Sequence, residues 1–175
     1  HPMDVIRTIV SYIGESDKKS DLELTTQIAA AVAYVIASYN ESDTSELDDE
    51  YTVASSMLSN NASSDQLQAL DDILILYAEH GFNASTFATR VTGSTRSDLT
   101  SSIVSGIGTL KGELHGGANE RAVELINSFK DVDDATSGVM KMLDEKKKIM
   151  GFGHGVYKIQ DPRSPVVKSW VEKLI

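Results

Sequence analysis

No cysteine occurs among the 175 residues. That absence excludes a disulfide framework and a thiolate metal site. It suits a reducing compartment, cytoplasmic or, in a eukaryote, the mitochondrial matrix. Basic side chains are outnumbered: 16 Lys and Arg face 26 Asp and Glu, for a net charge of −10. A field of that sign disfavours nucleic acid or an anionic membrane as partner. No apolar run approaches the roughly 20 residues of a membrane span. No secretory signal pattern is read at the start. The Asn-Ala-Ser triplets at Asn61 and Asn83 are therefore not expected to carry glycans. The first residue is His1, and the closing stretch from Ser164 to Ile175 stops in mid-helix pattern; the chain reads as an internal piece of a longer one. Also missing are an internal repeat, a Gly-x-Ser-x-Gly nucleophile elbow and a convincing strand.

What is present is helical period. Pro2 suits a helix start, and Met3, Ile6, Val10 and Ile13 mark one face as far as Gly14. Residues 21–39 predict a second helix that buries Leu24, Ile28, Val32, Val35 and Ile36. The acidic stretch 40–50 reads as a solvated loop, and a short helix follows near 51–58. Ser64 is expected to cap a helix whose core positions are Leu67, Leu70, Leu74 and Tyr77. Another helix begins after the break at Gly81. Asp98 is expected to cap the next, with Ser102 and Gly106 small enough for a neighbouring helix to come close. Residues 118–129 present Ala122, Val123, Ile126 and Phe129 on one face. Residues 132–148 begin acidic and end in Lys146, Lys147 and Lys148, which matches the helix macrodipole. Asp161-Pro162 opens a last helix with Val166, Val167, Trp170 and Leu174 inward. The fold class is all-α.

The helix pattern breaks at three places that each hold a histidine: "EHGFN" at His80, "LHGGAN" at His115 and "GFGHG" at His154. Taken singly, a histidine beside glycine is an ordinary loop residue. Taken together, these three sit where glycine lets the main chain approach a ligand. Gly151 and Gly153 precede His154, and Gly155 follows it. A histidine at a helix start, as at His115, has its cationic form disfavoured by the dipole and can donate a hydrogen bond to a developing oxyanion. Zinc ligation lacks the usual His-x-His or His-Glu-x-x-His pair. A dinucleotide loop is rejected, because the third glycine would fall at Val156 with no strand before it. The three lysines before His154 either end a helix in solvent or meet phosphates. Arg163 offers a fork for a carboxylate. The residues alone describe a site for a small polycarboxylate with a carbonyl to polarise.

These stretches resemble the citrate synthase family. "GFGHGVYKIQDPR", Gly151 to Arg163, matches that family's signature at nearly every position. "LHGGANE" (Leu114 to Glu120) and "EHGFNASTF" (Glu79 to Phe87) match its other two active-site segments, and "HPMDVIRT" resembles the corresponding helix. The resemblance spans almost the whole chain, as roughly the middle half of a family member. It implies a multihelical homodimer, with residues 1–115 in a large domain and 116–175 in a small one. It implies condensation of an acyl-CoA with oxaloacetate and release of CoA, with no metal and no cofactor beyond the acyl-CoA substrate. His115 is then expected to stabilise the enol oxygen, and His154 to hydrogen-bond and protonate the oxaloacetate carbonyl. His80 and Arg163 hold oxaloacetate, and Lys148, Ile149, Met150, Gly151 and Phe152 line the CoA site. The family's catalytic aspartate lies downstream of "DPR", beyond these residues, so this stretch alone is expected not to turn over. Gly155, Glu113 and residues 51–64 depart from the family pattern. Gly155, Glu113 and the missing downstream part keep a second reading open: a non-catalytic helical relative acting as a binding or regulatory module. "IQDPRSPVVKSWVEKL" and "EHGFNASTFATRV" resemble the 2-methylcitrate synthases, which use propionyl-CoA, more than the citrate synthases, which use acetyl-CoA.

Overall fold

Helix signals in the chain are explicit at most starts. A computed structural model describes residues 1–14, 19–40, 52–58, 61–78, 81–153 and 157–175. Among these residues every regular element is an α-helix: α1 (Pro2–Ile13), α2 (Asp21–Tyr39), α3 (Val53–Met57), α4 (Ser64–Ala78), α5 (Ala84–Ser94), α6 (Leu99–Leu110), α7 (Gly117–Asn127), α8 (Val132–Asp144) and α9 (Ser164–Leu174). The acidic stretch expected as a loop lies almost wholly outside the described residues.

Local chemistry sets the starts. His1 caps α1 through Nδ1, which accepts from the Met3 amide at 3.2 Å, and Pro2 takes the first turn, where no amide is needed. Ser20 and Glu23 form a reciprocal capping box on α2. Asp98 accepts from the Ser101 amide at 2.7 Å, as expected of a cap for α6. On α4 the cap is Ser63, one residue earlier than expected: its hydroxyl accepts from the Gln66 amide, and the Gln66 side chain accepts from the Ser63 amide. Choosing between adjacent serines needs the backbone turn, which the sequence does not print.

The chain divides into two compact units, His1–Gly108 with Gln160–Ile175, and Thr109–Ile159. In the first, α1 and α2 build the core around Ile6, Val10, Ile28 and Val35. Half-buried Ile103, Val104 and Ile107 of α6 pack on it. Fully burying a side chain of this size stabilises by about 1.5–3 kcal/mol. Ala33 and Ala37 of α2 are buried, whereas the larger Leu24, Val32 and Ile36 are half-buried. Close helix packing selects small residues along the contact line. By length and composition alone α2 is long and apolar enough to cross a membrane; its buried residues here are Ile28, Ala33, Val35 and Ala37. Gly106 meets its expectation: a Cβ there would overlap Thr89 of α5.

α4 and α9 pair antiparallel. The Trp170 Nε1 donates to Asp72 at 2.7 Å, and Lys173 meets Asp65 at 2.8 Å. In the second unit, α7 and α8 bury no residue fully. Ala122 and Phe129 are half-buried, but Val123 and Ile126, expected inward, are 55% and 69% exposed. The helical period identifies an apolar face, not what covers it.

Candidate active-site segments

His115 follows directly from how α6 ends. The chain turns back on the last turn of that helix: the Gly116 amide donates to the Leu110 carbonyl at 2.8 Å, and the Gly117 amide to the Gly112 carbonyl at 3.2 Å. A Cβ on Gly116 would overlap the Leu110 carbonyl, so this position admits only glycine without a main-chain shift. Gly116 is the N-cap of α7. His115 stands one residue before it, half-buried, and its carbonyl accepts from the Ala118 amide at 3.1 Å. The expected helix-start placement is therefore observed. His115 thus adjoins the start of α7, where the first main-chain amides have no helical partner.

The same unit holds Lys148, Ile149, Met150, Gly151 and Phe152. Here the expected helix over 132–148 is corrected. α8 stops at Asp144, and Lys146 takes a left-handed φ of 54°. The Lys146 amide donates to the Leu143 carbonyl at 3.0 Å and the Lys147 amide to that of Met142 at 2.8 Å. This double closure is a Schellman motif. Lys147 and Lys148 thus belong to the connection, and the lysine within the last helical turn is Lys141. Beyond it, Gly151 and Gly153 have φ of 88° and 82°. A backbone in that region is one reason for glycine at both places. A Cβ on Gly151 would touch Ala122 of α7, placing this connection against the helix that His115 introduces. Phe152 is 77% exposed.

Arg163 belongs to the first unit, at the N-cap of α9. Pro162 precedes the helix rather than opening it, and Pro165 occupies the first turn. The Asp161 carboxylate accepts from the Arg163 amide at 2.9 Å, from Nε at 3.0 Å and from Nη2 at 2.6 Å. The guanidinium also lies over the Tyr77 ring, 4.7 Å from its centroid. Tyr77, expected in the core of α4, is 52% exposed and serves as this platform. Neither Asp161 nor Tyr77 stood out as a functional residue in the sequence. The Asp-x-Arg spacing was the available signal for the first; nothing local announced the second.

His80 and His154 lie outside the described residues, as does Gly155. The segment after His80 is described. Gly81 and Phe82 both have left-handed φ, 79° and 59°. An aromatic side chain rarely adopts that conformation. Phe82 is held by an edge contact with Phe87 and by the Arg90 guanidinium 5.0 Å from its ring centroid. Asn83 then caps α5, accepting from the Thr86 amide at 2.9 Å.

The family model described as "Citrate synthase, C-terminal domain" matches residues 1–175. The 2-methylcitrate synthase of Shewanella oneidensis is 43% identical, over 99% of this chain and 50% of that protein. The citrate synthase of Deinococcus radiodurans is 39% identical, over 98% of this chain and 50% of its own. Among solved structures, citrate synthase from Pyrobaculum aerophilum superposes with a TM-score of 0.78 at 30% identity, covering 99% of this chain and 50% of that one. The Thermoplasma acidophilum citrate synthase, in a ternary complex with carboxymethyl coenzyme A and oxaloacetate, gives a TM-score of 0.73 at 29% identity, covering 99% of this chain and 48% of that one. The chain spans about half the length of the curated relatives it matches. With an all-helical fold and the three histidine-bearing segments in order, the chain belongs to the citrate synthase family.

Proposed function

We propose that the protein condenses an acyl-CoA with oxaloacetate and releases CoA, with propionyl-CoA the preferred donor and 2-methylcitrate the product. The observation that carries the reading is the "LHGGAN" turn at the head of α7, in a chain matched by the family model over residues 1–175. An imidazole beside a helix start can donate a hydrogen bond to an oxygen that gains negative charge. His115 thereby stabilises the enol of the acyl-CoA after its α-proton has gone to a carboxylate outside these residues. The enol carbon attacks the ketone carbon of oxaloacetate. His154 donates a proton to the carbonyl oxygen as the carbon–carbon bond forms. Water then cleaves the thioester, and CoA leaves as the thiol. His80 and Arg163 bind oxaloacetate oxygens, and Lys148 to Phe152 line the CoA site. Acyl-CoA is a substrate here, and no metal takes part. Residues 1–115 are assigned to the large domain and 116–175 to the small domain of a homodimer, a division that differs from the two compact units, in which Gln160–Ile175 joins His1–Gly108.

The Deinococcus citrate synthase, nearly as similar, favours a second reading with acetyl-CoA as donor. One methylene in an apolar pocket is worth about 1–3 kcal/mol, so the two donors differ by degree. The test is CoA release by the full-length protein with oxaloacetate and each thioester. Turnover with both is expected, with propionyl-CoA favoured about tenfold in kcat/KM. His115→Ala is expected to lower kcat by about 10²–10³. No release from either thioester sinks the enzymatic reading, and an acetyl-CoA preference transfers it to citrate formation.

A further inference from the structure

We propose that Asp161 and Tyr77 are positioning residues that preset the Arg163 guanidinium for the dicarboxylate substrate. The inference rests on the reading of Arg163 as an oxaloacetate ligand and adds two residues that this reading does not contain.

Three observations converge. First, the Asp161 carboxylate is itself fixed, because it accepts from the Arg163 main-chain amide at 2.9 Å within the turn that leads into α9. From there it grips Nε at 3.0 Å and Nη2 at 2.6 Å, a two-point hold that sets the direction of the fork. Second, Tyr77 of α4 lies far away in sequence and supplies the face against which the guanidinium stacks at 4.7 Å. The carboxylate restrains rotation of the guanidinium within its plane, and the ring restrains its tilt. Third, the Arg163 side chain is only 14% exposed and Asp161 only 25%. That separates the pair from a solvated surface ion pair, which holds neither partner. The same groups line an open hollow of about 380 Å³ beside Val167 and Val171. An unrestrained arginine loses the freedom of several rotatable bonds when it meets a carboxylate; a preset one has lost it on folding.

The test uses the full-length protein and separate KM values for oxaloacetate and acyl-CoA. Asp161→Asn keeps an acceptor for the amide and Nε but turns an NH₂ toward Nη2, which repels it. Tyr77→Leu removes the platform, whereas Tyr77→Phe keeps the ring. Asp161→Asn and Tyr77→Leu are each expected to raise the oxaloacetate KM about tenfold, leaving kcat and the acyl-CoA KM within about twofold. Tyr77→Phe is expected to behave as the parent. A purely structural role would shift both KM values and kcat together, and that result overturns the inference. So does an unchanged oxaloacetate KM in both variants. A lowered one in Asp161→Asn overturns it too, by showing that the carboxylate competes with substrate. Tyr77→Leu decides the matter if Asp161→Asn does not fold. Arg163→Ala separates the levels. If it leaves oxaloacetate KM and kcat unchanged, the ligand reading fails and takes this inference with it. If it impairs oxaloacetate use while the positioning variants do not, only this inference fails.

Discussion

At the scale of single residues, backbone conformation decides more than side-chain chemistry does. Lys146 holds a left-handed φ of 54° at the position after the C-cap of α8, where glycine carries no Cβ penalty. The amides that close the helix there are main-chain groups, so the motif survives removal of the side chain. Lys146→Gly is therefore expected to stabilise the protein by about 1 kcal/mol, read as a higher urea midpoint with an unchanged slope. A lowered midpoint would show that the lysine side chain matters more than the backbone. The same residue explains why the end of α8 was placed too late. A glycine would have announced it; a lysine run instead extends the apparent helix. At Gly116 the reverse holds. Its glycine was legible, but the reason, collision with the Leu110 carbonyl, depends on a chain reversal visible only in three dimensions.

At the scale of elements, starts were legible and faces only partly so. Asp98 was identifiable as a cap because a short acceptor followed by an apolar period satisfies amides that have no helical partner. The Ser101 hydroxyl and then the Ser101 amide hold its carboxyl below the ordinary value of 3.8. On α2, the Ser20 amide and hydroxyl hold Glu23 below 4.5. A carboxyl lowered in the folded state contributes stability above its unfolded pKa and loses it as pH falls through the folded value. Asp98→Ala is accordingly expected to lie below the parent by a constant margin from about pH 7 to pH 5. That margin shrinks below about pH 4, as the parent's own cap is protonated. Thermal melts of both proteins across this range check it; a margin that widens in acid contradicts the assignment. The faces of α7 and α9 were less readable. Their apolar stripes are real, yet Val123, Ile126 and Leu174 are exposed, because periodicity carries no record of the covering element.

At the scale of the whole molecule, the decisive fact is that the first unit is assembled from His1–Gly108 and Gln160–Ile175. α9 joins it through Trp170, whose indole donates to Asp72, and through Lys173, which meets Asp65. Trp170→Ala is expected to cost about 3 kcal/mol, since it removes a half-buried aromatic and a hydrogen bond to a carboxylate. Urea unfolding followed by far-ultraviolet circular dichroism checks this. A loss under about 1 kcal/mol would mean that α9 adds little to the unit it packs on.

The sequence by itself determined the helical class, most helix starts and the family, because caps, period and the three histidine segments are local patterns. It also placed His115 at a helix start, since glycines and an amphipathic run adjoin it. Tertiary structure alone decided that Tyr77 faces Arg163, that Gly106 admits Thr89, and that α9 returns to α4. Those are contacts between residues distant along the chain, and no local pattern encodes which distant surface a face will meet.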